Sequence, residues 1–350
     1  MTVARQGVKR LEGQVALVAG ATRGAGRGIA RILGAEGAVV YCTGRSTREA
    51  GATPGRPETI EDTAELVSAD GGTGIAVRVD HTQEDDVAAL IARIEADQGR
   101  LDILVNDVWG GDDLVAWGGG FWTLDMGAAR TLMEHCIYSH ILTSRYATPL
   151  MLKGQRGLIV EVTDGDLAGY RGQLLYDLVK SSVNRLAYAM AWDLARTKIT
   201  AVAVSPGFLR SEAMLDNFGV TEANWRDAIA GNAEFAESET PFFVGRVIAA
   251  LAADPEVGRK AGLALHAAEL AAEYGIIDVD GRTPGFWAGV EAGLAAAKRD
   301  ESGRLPPQAR RMALARYMHI HLTPALAPRA HELATQLGLK RLGEGLKPIL

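Results

Sequence analysis

A glycine-rich turn just behind a short apolar run limits what this chain can fold into more than any other feature. Val15-Ala16-Leu17-Val18-Ala19 reads as a buried strand, and Gly20-Ala21-Thr22-Arg23-Gly24-Ala25-Gly26 leads from it into a helical pattern over 26–36. The Gly-x-x-x-Gly-x-Gly spacing gives each glycine a task. Gly20 permits the tight turn, Gly24 a close backbone approach and Gly26 close packing of helix on strand. Helix N–H groups and the helix dipole are then aimed at a pyrophosphate, with Arg23 and Ala25 as further contacts. The competing reading is a plain strand-to-helix turn in a chain with 41 glycines.

The next apolar run favours the cofactor reading. Residues 38–43 form a second strand, and it ends in Thr43-Gly44-Arg45-Ser46, where a fold that prefers NAD places a carboxylate on the ribose. Here Arg45, with Ser46 beside it and Arg23 reaching from the turn, suits the 2′-phosphate of NADP instead, because guanidinium matches phosphate geometry. Two solvated arginines are the alternative.

Beyond a turn-rich insertion at 47–58, Thr59 reads as the N-cap of a helix reaching residue 70, with Asp62 three residues on. Arg48 and Arg56 read as solvated loop residues. Further apolar runs at 75–79, 101–106, 158–163, 199–204 and 263–266 alternate with helical patterns at 83–98, 124–152, 175–196 and 241–253. This alternation predicts an α/β class: a Rossmann-like, doubly wound parallel sheet of about seven strands in a single domain over 11–270. Residues 208–240 read as a helical flap over the site. Residues 280–350 read as a C-terminal helical extension packing on the domain or on a partner subunit, with a weakly amphipathic helix at 312–322.

Several candidate residues fall at strand ends. Asp80, after the third strand, either meets an adenine amino group or caps the next helix, and His81 reads as a loop histidine. Asn106 ends the fourth strand and opens a glycine-rich loop whose Trp109, Trp117 and Trp122 supply apolar pocket walls. Thr163 and Asp164 close the fifth strand. Tyr176 and Lys180 follow, four residues apart, so a helix sets phenol and ammonium on one face. A nearby cation favours the phenolate of a group that otherwise titrates near pH 10.

Composition excludes other classes. A formal charge of −6 and a pI near 5.7 argue against a nucleic-acid partner. The start of the chain has no signal-peptide pattern, and the sequence holds no apolar run long enough for a membrane span. Two cysteines, Cys42 and Cys136, in apolar surroundings suit buried thiols and a reduced, cytoplasmic chain. No metal site is expected, since His135 and His140 lie five apart on one helix and diverge.

Taken together, the glycine turn, Asn106, the Tyr176/Lys180 pair and Pro206-Gly207 after the sixth strand resemble the short-chain dehydrogenase/reductase family over residues 11–270. The resemblance extends to Tyr41-Cys42-Thr43-Gly44-Arg45 and to Tyr274-Gly275-Ile276-Ile277-Asp278-Val279-Asp280-Gly281-Arg282. It implies an NADP(H)-dependent hydride transfer on a carbonyl or alcohol of a small apolar molecule. Tyr176 is then the acid/base, and Lys180 lowers its pKa and bonds the nicotinamide ribose. Gly20, Gly24 and Gly26 line the pyrophosphate, Asn106 lies beside the adenosine ribose, and Pro206, Gly207 and Ser211 flank the nicotinamide amide. The family's helper serine is replaced by Thr163 and Asp164, its relay asparagine by Cys136, and its Asn-Asn-Ala-Gly by Asn106-Asp107-Val108-Trp109. Those departures keep an alternative open, a catalytically weak or inactive NADP-binding protein acting as sensor or assembly partner. Family members commonly pair two long helices, here 124–152 and 175–196, so a homodimer or homotetramer is implied.

Overall fold

A computed structural model of the protein describes residues 9–51, 55–165 and 170–299, with positions 303, 305, 306, 309 and 313. The strands are β1 (Val15–Ala19), β2 (Val39–Gly44), β3 (Thr73–Arg78), β4 (Ile103–Asn106), β5 (Gly157–Val162), β6 (Ile199–Ser205) and β7 (Ala264–His266). They form one sheet in the order β3-β2-β1-β4-β5-β6-β7, and every neighbouring pair is parallel. The helices are α1 (Gly24–Ala35), α2 (Ile60–Ala69), α3 (Glu84–Gln98), α4 (Met126–Met133), α5 (Ser139–Gly154), α6 (Leu174–Asp193), α7 (Glu212–Asn217), α8 (Pro241–Ala253), α9 (Ala267–Tyr274) and α10 (Phe286–Ala296). The predicted Rossmann-like, doubly wound parallel sheet is thus the observed fold.

Parallel strands covered on both faces read as unbroken apolar runs, and β1, β4, β5 and β6 are buried along their whole length. One face packs Val18 and Val105 against Ile29 and Leu33 of α1 and Phe243, Val247 and Ile248 of α8. The opposite face packs Leu17, Tyr41 and Ile159 against Leu90 and Ile94 of α3 and Leu150 and Met151 of α5. α1 and α8 meet backbone to backbone: a Cβ on Gly28 would stand 2.1 Å from the Pro241 carbonyl oxygen, and one on Gly245 2.9 Å from that of Gly28.

The chain leaves β1 in one direction toward β2 and β3 and returns beside β1 as β4. That reversal opens a crevice at the carboxyl ends of the two strands, where open α/β sheets bind ligands. The register Ala19↔Asn106 places Gly20 against Asp107.

Local differences from the sequence reading have physical causes. α1 begins at Gly24, two residues before the predicted start, with Gly24 itself at a left-handed φ. The long helix of 124–152 is divided by a π-helical turn, Glu134–Tyr138, which absorbs one extra residue and carries Cys136, while Pro149 lies inside α5 without ending it. Thr59 accepts from the Asp62 amide at 3.2 Å, as a cap should. Arg48 pairs with Asp62 and Glu65, and Arg56 with Glu58 and Asp216.

Residues 208–240 form α7 and two 3-10 turns, Trp225–Ala230 and Ala233–Glu237. A fully buried guanidinium fastens this flap. Arg210 donates to Glu222 Oε1, Asp280 Oδ2 and the Ser238 carbonyl at 2.9, 2.9 and 2.7 Å, and its charge lies 4.2 Å from the centre of the Trp225 ring. Asp278 accepts from the amide and hydroxyl of Thr240, the N-cap of α8, and Arg282 donates to the carbonyls of Ala236 and Ser238. The 274–282 motif is therefore a clasp on the flap. The predicted helix at 312–322, and nearly all of the extension beyond residue 299, lie outside the described residues. No described helix is long and apolar enough to cross a membrane, and no metal-binding group occurs among the described residues.

Candidate active site

A cleft of about 680 Å³ runs along the carboxyl edge of the sheet. Its lining includes Gly20, Arg23, Gly24, Ala25, Arg45, Ser46, Asp80, Thr163, Asp164, Tyr176, Lys180, Pro206, Gly207 and Ser211. Two predicted contacts are not on its wall. Gly26 is pressed behind the turn, where a Cβ would come within 2.2 Å of the Gly20 carbonyl oxygen. Asn106 is fully buried, and its Nδ2 donates to Ser144 Oγ at 2.9 Å and Glu161 Oε1 at 2.7 Å. Both support the cleft from beneath.

At the glycine end the backbone does what the spacing demands. Gly20 has φ +93° and Gly24 φ +56°, and both sit in the left-handed region that favours glycine. A carboxylate occupies the anion position at the head of α1: the Gly24 amide donates to Glu212 Oε2 at 2.7 Å, and Arg27 lies 3.8 Å from Glu212 Oε1. An N-terminus that seats a carboxylate has the donors and dipole for a phosphate, so the turn fits a dinucleotide. Arg45 stands beside His135, Nη1 to Nε2 3.4 Å, and His135 Nδ1 is 3.1 Å from the Gly110 carbonyl oxygen. Asp80 lines the cleft and also caps its own turn, accepting from the Thr82 amide and hydroxyl at 3.0 and 2.7 Å. Burial acts to raise its carboxyl, but those bonds and the charge of Arg45 hold it below the usual range.

The other end is built by α6 and two loops. Gln173 caps α6 by accepting from the Tyr176 amide at 2.7 Å, which fixes the helix's first turn. The Tyr176 hydroxyl donates to Asp164 Oδ2 at 2.5 Å, and the indoles of Trp109 and Trp117 lie 5.4 and 5.3 Å from its ring, centre to centre. Lys180 is placed differently from the expectation. Its ammonium lies over the Trp109 ring at 4.2 Å and 5.7 Å from the centre of the Tyr176 ring. The phenol is accordingly held far above its ordinary value, by burial first and by the Asp164 charge and hydrogen bond after it. The hydroxyl of Thr163, expected at the substrate oxygen, is buried and donates to the Lys180 carbonyl at 2.8 Å. Asp164, not Thr163, is the neighbour of the tyrosine. Cys136, also buried, approaches the Trp109 carbonyl at 3.2 Å.

Tertiary packing supplies groups that no local pattern announced. His81 is not a loop histidine but a buried one, with Nε2 2.8 Å from Thr43 Oγ1 and Nδ1 2.8 Å from Thr143 Oγ1, and burial pushes its pKa down to about 3. Glu161 in β5 pairs with His140 Nδ1 at 2.6 Å, while His140 Nε2 lies 3.1 Å from the Val108 carbonyl oxygen. This chain of contacts, Asn106–Glu161–His140, positions the 106–109 backbone at the cleft floor. Asp107, whose carboxyl bonds the Gly26 amide, is pushed up to about 7 by burial against the opposing charge of Lys180. Glu239 accepts from the Gly207 amide at 2.9 Å and is pushed up to about 8, again by burial.

The model for short chain dehydrogenases matches residues 14–219, more than half of the chain. This protein belongs to the short-chain dehydrogenase family. It is 32% identical to dehydrogenase/reductase SDR family member 1 of Mus musculus, over 79% of this chain and 86% of the relative. With 7alpha-hydroxysteroid dehydrogenase of Clostridium sardiniense it shares 30% identity over 71% of this chain and 89% of the relative. A short chain dehydrogenase of Mycobacterium thermoresistibile superimposes with a TM-score of 0.65 at 21% identity, covering 79% of this chain and 92% of that one. A hydroxysteroid dehydrogenase of Escherichia coli does so at 0.59 and 22%, covering 74% and 96%. Those two solved structures speak for the fold alone. The chain is thus an oxidoreductase of this family.

Proposed function

We propose that the protein is an NADP(H)-dependent oxidoreductase that moves a hydride between nicotinamide and a carbonyl or alcohol of a small apolar molecule. One observation carries the reading: Tyr176 and Lys180 lie at one end of the same cleft whose other end holds the glycine turn and Arg45. The nicotinamide supplies the hydride when bound. Gly20, Gly24 and Ala25 hold the pyrophosphate where Glu212 now reaches. Arg45 and Arg23 take the 2′-phosphate, and the absence of a carboxylate at 43–46 favours NADP over NAD. Pro206, Gly207 and Ser211 flank the amide, Lys180 holds the ribose, and Tyr176 exchanges the proton at the substrate oxygen. Trp109 and Trp117 form apolar walls. The name of the Clostridium relative, a dehydrogenase of a hydroxysteroid, supports an alcohol or ketone as substrate.

The same reading takes residues 11–270 as the catalytic unit and 280–350 as an extension upon it or upon a second subunit. Exposed apolar side chains on α6, Leu174, Leu178, Tyr188 and Trp192, support self-association through that helix. Two free, buried thiols suit the cytoplasm.

A second reading, cofactor binding without turnover, is favoured by the Thr163 hydroxyl turned to the Lys180 carbonyl and the Asp164 carboxylate on Tyr176. Nicotinamide fluorescence with NADPH and NADH, followed by a carbonyl and alcohol panel, separates the two. The first reading expects NADPH to bind more tightly than NADH. Tyr176→Phe should keep binding and lose about 100- to 10,000-fold in turnover, the usual worth of an acid/base. Binding with no turnover by the parent protein on the whole panel establishes the second.

A further inference from the structure

The groups around the Tyr176 hydroxyl have the wrong charge for a developing alkoxide and the right charge for a nitrogen cation. Carboxyls line this end of the cleft from two places: Asp112 in the loop after β4 and Asp164 after β5. Among the described residues, Lys180 is the cation lining the same end, and its ammonium is drawn over the Trp109 ring. Arg171 stands behind Asp164 and off the cleft wall, its Nη1 on Asp177 Oδ1 at 2.9 Å and its Nε on the Asp164 carbonyl at 2.7 Å. Trp109 is turned toward the acidic side by its own indole N–H, which donates to Asp112 Oδ1 at 2.6 Å. Trp109 and Trp117 flank the tyrosine, and with Lys180 already over Trp109 a bound molecule meets the Trp117 indole and a carboxylate together. That is the combination by which proteins hold ammonium-type cations. A ketone reduced here would instead build negative charge beside Asp164, and like charges at that distance oppose each other.

We propose that this site reduces a small cyclic iminium ion to the corresponding amine, with Asp164 and the Trp117 indole recognising the charged nitrogen. The proposal rests on the nicotinamide reading above and changes its substrate class. The iminium carbon gains a hydride from the reduced nicotinamide, which is thereby oxidised, and the C=N π pair becomes the nitrogen lone pair. The imine is protonated in solution before it binds. No proton has to be delivered in the cleft, and the iminium N–H donates to Asp164. A tyrosine held as the neutral phenol, as burial and Asp164 hold Tyr176, is no handicap to such a reaction.

The test follows NADPH consumption with imines such as dihydroisoquinoline against ketones of the same size such as tetralone, in the parent protein and in Asp164→Ser. Calorimetry with NADP bound compares the product amine with its isosteric carbinol. The parent should prefer the imine by at least about tenfold in kcat/KM, Asp164→Ser should reduce that ratio at least about tenfold, and the ammonium should bind about tenfold tighter than the carbinol, each about 1.4 kcal/mol. A ketone preference in the parent, or a ratio unmoved by Asp164→Ser, overturns the proposal. Where neither class turns over, equal binding of amine and carbinol overturns it, and tighter amine binding lost in Asp164→Asn supports it. Failure of NADPH to bind at all is a different result and removes the nicotinamide reading itself.

Discussion

Glu212 and Gly24, 188 residues apart in sequence, meet at 2.7 Å, with the carboxylate of the flap accepting from the amide at the head of α1. In the proposed function a dinucleotide phosphate takes that amide and brings its own negative charge, so the two anions would compete. Glu212→Ala should therefore bind NADPH more tightly by about 2- to 10-fold, since an anion at a helix N-terminus is worth roughly 0.3–1 kcal/mol and its repulsion is also removed. Nicotinamide fluorescence titration reads the change. Weaker binding would mean instead that Glu212 helps the flap to seat the cofactor.

Arg45 makes the cofactor choice testable. A charge-assisted contact to phosphate is worth about 1.5–3 kcal/mol, so Arg45→Ala should weaken NADPH about 10- to 100-fold and leave NADH nearly unchanged. The same titration run with both nucleotides gives the ratio, and an equal loss for both would deny Arg45 any part in reading the 2′-phosphate.

Stability should fall with rising pH above neutrality. Burial raises the Glu239 carboxyl from 4.5 to about 8, so between those values the folded protein keeps a proton that the unfolded chain releases. Stability is then highest below the unfolded value and declines as pH rises toward the folded one. His81 acts in the opposite sense: its pKa is lowered from 6.5 to about 3, so its contribution grows with pH only up to the unfolded value. The interval from pH 6.5 to 8 therefore isolates the raised carboxyls, which include Asp107 at about 7. Urea unfolding across it should show a loss on the order of 1–2 kcal/mol in the parent and a smaller one in Glu239→Gln.

The clasp should be costly to break from one side. Arg210→Met leaves Glu222 and Asp280 facing an apolar side chain and should destabilise the protein by about 3–5 kcal/mol, as removal of one partner from a buried ion pair does. Asp280→Asn keeps a hydrogen-bond acceptor for the guanidinium and should cost clearly less. Thermal unfolding of the two variants side by side checks the order.

What the sequence revealed was whatever depends on neighbours in the chain. The glycine turn, the Thr59 cap and the four-residue step from Tyr176 to Lys180 are local spacings, and the parallel sheet of about seven strands follows from apolar runs alternating with helices. Most of the candidate residues accordingly line one cleft. The chemistry at the tyrosine was less legible, because it depends on where side chains from separate elements point. Thr163 and Asp164 are adjacent in sequence, and only the end of β5 decides that the first turns to the Lys180 carbonyl and the second to the phenol. The same holds for Glu212, for the Asn106–Glu161–His140 chain and for His81, whose partners come from β2 and α5. A four-residue step fixes a shared helix face; it does not fix that an ammonium will prefer the Trp109 ring.

The contact of Gly28 with Pro241 grounds one end of the flap. α8 starts at Pro241, directly after the flap, and is pressed onto α1, whose head meets Glu212 of that flap, with no side chain between them to slide. Thr240 therefore stands at a base that α1 and α8 share. The other root is moored to the same base, since the Arg210 amide donates to the Glu239 carbonyl and the Glu239 amide to the Phe208 carbonyl, each at 2.8 Å, so the flap is a loop drawn shut at its neck.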